Sequence, residues 1–239
     1  MPGCKWRVRA RSNSRLLLTR SNAEPALPAR RSACVALHRA EGVAGTGWVL
    51  LNRLAGLWLR GCATALLAAG RREAALLRFD TLCSRCPGDV HALASRAHLL
   101  TQWGRAAEAL PDSRSLLLLL PGDAGTWFNH GYMLEAAGHW DEARAAFLRA
   151  TELGPRLDRA WYGLGLVLIR LHRFDEAAAA LRRNTELQPQ SPCGWYKLAR
   201  VHMDMNEPVA AARIIRHLQG FEPRIAAQLA RETGLEASA

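Results

Sequence analysis

Residues 124–157 read AGTWFNHGYMLEAAGHWDEARAAFLRATELGPRL, and this stretch decides the fold of the chain. Trp127, Gly131 and Leu134 fall at i, i+4 and i+7, which places them on one face of a helix. Gly138 interrupts that pattern, and a second helical pattern follows it. The stretch therefore predicts a helix–turn–helix hairpin whose apolar face needs a neighbour to bury it.

The same pattern recurs at a constant interval along the chain; three alignment columns carry the register, and the turn residues between the helices follow it. The column that ends each hairpin holds Pro87, Pro121, Pro155, Pro189 and Pro223. The contact column of the second helix holds Ala75, Ala109, Ala143, Ala177 and Ala211. The facing column of the first helix holds Ala63, Ala97, Gly131, Gly165 and Ala199. The turn column holds Gly70, Gly104, Gly138, His172 and Asn206. Small residues let two helices approach closely, and proline cannot continue a helix.

A two-helix unit that recurs at intervals of about 34 residues resembles the tetratricopeptide repeat (TPR). The resemblance implies an all-α fold, a right-handed superhelical solenoid of tandem helix–turn–helix hairpins. The solenoid is expected to span residues 43–239, with repeats at about 56–89, 90–123, 124–157, 158–191 and 192–225. A capping helix is expected at about 226–233, because an array end would otherwise leave apolar surface in water.

Departures from the repeat pattern concentrate near the N-terminal end. Leu59 and Leu93 stand where later repeats have tryptophan, and Arg96 stands where an apolar residue is expected. Pro111 falls inside the second helix of repeat 90–123. Because an interior proline removes a backbone hydrogen bond and clashes with the preceding turn, that helix is expected to be irregular.

The net charge of +11 is unevenly distributed along the chain. The segment 1–55 contains ten Lys or Arg and only two acidic residues, so the remaining chain is close to neutral. Residues 1–42 show no sustained periodicity and are expected to form a disordered basic tail, with an organelle transit peptide as the alternative. Near-neutral repeats give no electrostatic support to nucleic-acid binding.

The six cysteines are too few and too scattered for a disulfide scaffold, which favours a reducing compartment. A cytoplasmic location is expected, and organelle targeting or peripheral membrane association through the basic N-terminus is the alternative. No apolar run reaches the roughly 18 residues that predict an integral membrane segment. Cys83 and Cys86 have the spacing of a metal site, but no second pair accompanies them, so incidental thiols are favoured over a metal.

Sequence motifs of catalysis are missing. The chain contains no P-loop, HExxH or GxSxG motif. The acidic pairs Asp141-Glu142 and Asp175-Glu176 recur near the starts of second helices, where they favour the helix dipole and capping rather than acid–base chemistry. The sequence therefore predicts no catalytic residue, no cofactor and no metal ligand, and the protein is expected not to be an enzyme.

The resemblance also implies where a partner binds, because the first helices of TPR arrays line a concave groove. Carried onto this chain, the groove residues are Phe128, Asn129, Tyr132, Arg159, Tyr162, Leu166, Arg170, Tyr196, Lys197 and Arg200. Phe128, Tyr162 and Tyr196 occupy the same place in successive repeats and are expected to form an aromatic ladder along this groove. Aromatic and arginine side chains are common anchors of protein interfaces.

The expected function is a non-catalytic scaffold or adaptor that binds a peptide or protein segment with apolar side chains and some negative charge. Two alternatives are an accessory subunit of membrane-associated envelope or secretion machinery and, less favoured, an RNA-binding array. The carboxylate clamp of chaperone-binding TPR proteins is incomplete, since Asn129 and Arg159 match it but Ala94, His98 and Gly163 do not.

Overall fold

A computed structural model describes residues 45–235, and this range contains α-helices and no strand. The helices are α1 (Gly45–Ala68), α2 (Arg72–Arg85), α3 (Val90–Gln102), α4 (Ala106–Leu119), α5 (Ala124–Ala137), α6 (Trp140–Leu153), α7 (Asp158–Arg170), α8 (Phe174–Leu187), α9 (Pro192–Asp204), α10 (Pro208–Gln219) and α11 (Pro223–Thr233). The predicted all-α fold is confirmed. The expected basic tail, residues 1–42, lies outside the described residues.

The helices form hairpins that repeat at the spacing read from the sequence. The second helices α2, α4, α6, α8 and α10 begin at residues 72, 106, 140, 174 and 208, and the first helices α3, α5, α7 and α9 begin at 90, 124, 158 and 192. Each helix packs against the next one along the chain. This is the stacked hairpin arrangement of a helical-repeat solenoid. The final helix, α11, packs on both α10 and α9 and covers the end of the array.

The small-residue columns lie at the helix–helix contacts. All five alanines of the second-helix column have no exposed surface, and the same is true of Ala63, Ala97 and Ala199 in the facing column. Gly131 and Gly165 occupy the other two places and are buried as well. Close approach of the two helices of each hairpin therefore rests on the positions that the sequence indicated.

Phe147 of α6 fills the space left by two glycines. A Cβ atom added to Gly131 would lie 2.9 Å from the Phe147 ring, and one added to Gly163 would lie 2.8 Å from it. Phe147 itself is completely buried. Because its ring sits against first helices on both sides, α5 and α7, it links two successive repeats in the centre of the array.

The turns between paired helices adopt a left-handed backbone. Gly70, Gly104 and Gly138 have φ values of 71°, 78° and 85°, and His172 and Asn206 have φ values of 56° and 59°. Residues with a Cβ rarely adopt this conformation, which glycine adopts without steric cost. The predicted turn column is confirmed, and its last two members carry a backbone cost that the glycines avoid.

Pro111 does not interrupt α4, contrary to the expected irregularity. The helix runs continuously from Ala106 to Leu119 with Pro111 inside it. Pro111 and Ala107 are both exposed, so the carbonyl that loses its amide partner lies on the solvent side, where water can hydrogen-bond to it. The expectation was wrong because it weighed the missing hydrogen bond without the orientation of the helix.

Arg96 is accommodated in the core region by two carboxylates. Its Nε donates to Asp112 at 2.7 Å, and its Nη1 donates to Asp80 at 2.9 Å. The Asp112 side chain is almost fully buried, and the hydrogen bonds from Arg96 compensate its lost hydration. The polar residue that breaks the repeat pattern on α3 is therefore matched by a polar residue on α4.

The tryptophan and proline columns are joined by a recurring hydrogen bond. The indole Nε1 of Trp127 donates to the carbonyl of Pro121 at 2.9 Å, Trp161 donates to Pro155 at 3.0 Å, and Trp195 donates to Pro189 at 2.9 Å. All three indoles are half-buried against the core. Each proline thus ends one hairpin and also anchors the first helix of the next one.

Within residues 45–235, none of the helices combines the length and the apolar character that crossing a membrane requires.

The acidic pairs lie in the first turns of α6 and α8, as expected, but they do not cap those helices with their side chains. Glu142 instead contacts His139 at 3.1 Å, and Glu176 accepts from Arg173 at 2.6 Å.

Candidate binding groove

The first helices form one side of the solenoid. Among helices that are two apart along the chain, the closest approaches are α5 with α7 and α9 with α11, and the members of both pairs occupy first-helix places. When the first helices of an array lie closer together than its second helices, the array is curved. The first helices then line its concave side. The surface of α5, α7 and α9 that carries the predicted residues is called the first-helix groove below.

Phe128 and Arg159 interact at one end of this groove. The Arg159 guanidinium carbon lies 5.0 Å from the centroid of the Phe128 ring, which is within cation–π range. Phe128 also contacts Phe147, with ring centroids 5.8 Å apart. Tyr132 is one turn further along α5 and is 44% exposed. Asn129 is exposed beside them. This end of the groove offers aromatic surface and one exposed amide.

Tyr162 does not form an exposed rung of the predicted aromatic ladder. Its side chain is only 3% exposed and belongs to the main core cluster, since α5 packs beside α7 on this side. Burial raises the pKa of its hydroxyl to about 12, and the nearby Glu135 carboxylate contributes to that rise. Tyr162 therefore belongs to the floor of the groove, whereas Leu166 on the same helix is half-buried.

Tyr196 and Arg200 hold a carboxylate that comes from the end of the array. The Tyr196 hydroxyl donates to Glu232 of α11, and Arg200 Nη1 lies 3.4 Å from the same carboxylate oxygen. Gln228 donates to the other oxygen at 2.6 Å. These contacts lower the pKa of Glu232, with the Tyr196 hydrogen bond as the main cause. This part of the groove can therefore bind a carboxylate.

Basic side chains cluster in the middle of the groove. Burial lowers the pKa of Lys197, and the positive charges of Arg200 and Arg170 lower it further, so both arginines lie close enough to repel the Lys197 ammonium group. The nearest acid on α5 is Glu135, whose pKa is raised by burial and lowered in part by Arg170. Arg170 also lies 5.7 Å from the ring centroid of Trp140. Repulsion among cations favours an incoming anion.

Glu232 belongs to this groove, although it was not among the predicted site residues. The sequence predicts α11 only as a cap and therefore does not indicate a groove contact for Glu232. It lies 36 residues after Tyr196 and 32 after Arg200, about one repeat length, so extending the repeat register into α11 would have indicated the contact. Gln228 and Glu232 are also four residues apart, on one face of a helix.

Two further titratable groups with shifted pKa values, His130 and Cys83, lie in the core rather than in the groove. His130 is buried, hydrogen-bonds to Ser113 at 2.8 Å and has a lowered pKa caused mainly by burial. The Cys83 thiol is buried, which raises its pKa to about 11. In the part of the chain that the structure describes, no three His, Cys, Asp or Glu residues come together in a way that could hold a metal ion.

Comparisons with known proteins agree with the repeat architecture. The family model for the tetratricopeptide repeat matches residues 128–192, which run from within α5 to the first residue of α9. No curated protein matches the sequence significantly.

Solved structures show the same fold at low sequence identity. MamA from Desulfovibrio magneticus RS-1 is 18% identical, covers 74% of this chain and 96% of its own, and has a TM-score of 0.64. YrrB, described as a TPR protein with an unusual peptide-binding site, is 17% identical, covers 72% and 90%, and has a TM-score of 0.61. PilF from Pseudomonas aeruginosa is 21% identical, covers 79% and 95%, and has a TM-score of 0.57.

The matched family and the shared fold agree with the repeat columns, the buried small residues and the left-handed turns. Residues 128–192 of this chain carry the tetratricopeptide repeat, and the chain shares the fold of solved tetratricopeptide-repeat proteins.

Proposed function

We propose that this protein is a non-catalytic scaffold that binds a segment of another protein in the first-helix groove. The observation that carries the proposal is the contact of Glu232 with Tyr196 and Arg200, which is an internal example of a carboxylate held on the groove. Lys197 lies near the Glu232 carboxylate, and Arg170 lies near Lys197. Proteins of this fold commonly bind extended or helical segments, and the reported peptide-binding site of YrrB is in keeping with such a role.

The chemistry of the groove defines the segment that it fits. The exposed Tyr132 ring and the Phe128–Arg159 pair suit an apolar or aromatic side chain. The cations of α7 and α9 suit one or two acidic side chains placed further along the same segment. Aromatic and arginine residues contribute most of the energy at many protein interfaces. We therefore infer a partner segment that combines an apolar anchor with acidic residues.

Peptide display tests this proposal. The full-length protein is immobilised and exposed to a library of random peptides of about 12 residues, and the recovered sequences are compared with the input. We expect enrichment of peptides that contain both acidic and apolar residues. Arg200→Glu should abolish this enrichment, because it places a negative charge beside Glu232 and reverses one cation of the cluster.

The matched control is Arg182→Glu, which makes the same charge change on the exposed surface of α8, a second helix. It should recover the same peptides as the wild-type protein. Equal recovery by Arg200→Glu would show that the groove is not the peptide site. Competition by single-stranded RNA at physiological salt would favour the RNA-binding alternative, since aromatic and basic grooves also bind single strands.

A further inference from the structure

A second concave surface lies outside the first-helix groove, between the second helices α6 and α8. It is a cavity of about 390 Å³ whose floor is formed by Trp161, Leu164 and Leu168 of α7. These residues are spaced at i, i+3 and i+7, so they share one face of that helix. Leu148 of α6 lines one wall and is 45% exposed, and Ala179 of α8 lines the other. The cavity is thus largely apolar and open to solvent.

The equivalent surface one repeat later is covered by the chain itself. There the tryptophan is Trp195, and the imidazole of His217 from α10 packs against it at a tilt of 54°, with ring centroids 4.4 Å apart. Residue 183 precedes His217 by one repeat length, and it is an arginine whose Nη1 donates to Glu186 at 2.7 Å. Because Arg183 is held by Glu186 along α8, the cavity over Trp161 stays open.

The charges around the cavity are unequally compensated. Arg183 pairs with Glu186, and Glu176 pairs with Arg173. Arg144 of α6 also lines the cavity, and its Nε atom is buried without a hydrogen-bond partner among the described residues. Arg144 forms no ion pair among the described residues, so its positive charge at the cavity wall is not neutralised there. A carboxylate is the acceptor that suits guanidinium geometry, and the charge of the wall therefore favours an acidic group.

We propose that the cavity between α6 and α8 is a second binding site, which takes an amphipathic acidic helix from a partner protein. One apolar side chain of that helix enters the cavity over Trp161 and Leu168. A carboxylate of the same helix accepts hydrogen bonds from Arg144. The site lies on the opposite side of the hairpins from the first-helix groove, so the two sites can be occupied together.

The test uses the full-length protein, labelled with ¹⁵N, and two synthetic helical peptides of about 15 residues. One peptide carries leucine at i, i+3, i+4 and i+7 with glutamate elsewhere, and the other carries lysine in place of every glutamate. The Trp161 indole N–H signal, assigned from the Trp161→Phe variant, reports on the cavity. We expect the acidic peptide to shift this signal and the basic peptide to leave it unchanged.

Two matched variants separate this site from a general surface effect. Ala179→Trp fills the cavity from an exposed position and should weaken binding at least about tenfold, whereas Ala145→Trp, one repeat earlier and also exposed, should not change it. Arg144→Gln should weaken binding about tenfold through loss of a charge-assisted hydrogen bond. Arg200→Glu in the first-helix groove should leave this binding intact.

Several results would overturn the proposal. They are equal binding of the basic peptide, equal weakening by Ala145→Trp, and no indole shift at about 1 mM acidic peptide, which corresponds to less than about 4 kcal/mol of binding free energy. Self-association of the protein that Ala179→Trp disrupts would assign the cavity to contacts between copies of this chain instead.

Discussion

The two ends of the array bury their cores in different ways. From α5 onward, the first helices of the repeats carry a tryptophan bonded to the preceding proline carbonyl, and glycines let Phe147 and Leu181 approach these helices closely. In α1 to α4, leucines replace tryptophan and a separate buried cluster forms around Leu59, Leu82 and Leu93. One repeat pattern thus supports two kinds of packing.

Exposed apolar surface follows the same division. Among the described side chains, five of the eight large apolar ones that are exposed lie in α1 to α4, including Leu57 and Trp58, which are 62% and 63% exposed. Ionic contacts are also different, since the N-terminal part relies on the Arg96–Asp112 pair at its core. The comparison indicates that interlocked aromatic packing holds the C-terminal repeats together, whereas the N-terminal repeats combine a leucine-rich cluster with a buried ion pair.

The largest expected effect concerns the aromatic interlock of the C-terminal repeats. Phe147→Ala should destabilise the protein by about 3–5 kcal/mol, because the ring is fully buried between α5 and α7. Gly163→Ala should destabilise the wild-type protein by about 1–3 kcal/mol through overpacking against that ring. In the Phe147→Ala background the same change should stabilise by about 1 kcal/mol, since alanine favours helix.

Denaturant unfolding of the four proteins in this double-mutant cycle provides the measurement. Gly61→Ala is the control, because an added Cβ at Gly61 meets nothing within 4 Å, and it should behave alike in both backgrounds. Additive effects of Phe147→Ala and Gly163→Ala would contradict the interlock.

A smaller effect is expected for the ion pair of the N-terminal repeats. Asp112→Ala should destabilise the protein by about 2–3 kcal/mol, because it leaves the Arg96 guanidinium partly buried with only Asp80 beside it. Replacing both partners, Arg96→Leu with Asp112→Leu, should restore most of the loss, since an apolar pair of similar volume needs no counter-charge. Thermal unfolding of the two variants provides the measurement. If packing alone mattered, the double variant would be less stable than Asp112→Ala.

The smallest expected effect concerns the turns, and it is a stabilisation. His172→Gly should raise the free energy of unfolding by about 0.5–1 kcal/mol, because glycine adopts a positive φ without the Cβ clash. Asn206→Gly should gain less, since asparagine tolerates this conformation better than histidine. A loss of stability in His172→Gly would mean that contacts of the imidazole, such as its edge-on packing against Phe174, outweigh the backbone term.

Much of the fold was readable from the sequence because small residues, prolines and turn residues act locally. Predicting the alanine column and the left-handed turns required only the period of the repeat. Both features lie at the positions that this period predicts. The continuity of α4 through Pro111 could not be predicted from the sequence, since it depends on which side of the helix faces water.

The sequence predicted which helices carry the groove residues, but not how those residues are buried or paired. Repeat position placed Phe128 and Tyr196 on first helices, but it did not reveal that Tyr162 is enclosed by its neighbours or that Glu232 reaches back to Tyr196. Burial of one side chain depends on the angle between successive repeats, and that angle arises from many packing contacts together. Charge partners such as Arg96 and Asp112 were likewise hidden, because the two residues occupy different columns of the repeat.

Site-specific photo-crosslinking tests the central functional claim, that the first-helix groove binds a partner protein, most directly. A photoreactive phenylalanine analogue replaces Tyr132 on α5 in one variant and Leu118 on α4 in another. Both side chains are exposed, but α5 is a first helix and α4 is a second helix. After irradiation in cells of the source organism, we expect a discrete covalent adduct with another protein at position 132 and none at position 118. An adduct at 118 alone, or identical adducts at both positions, would contradict the assignment of the groove.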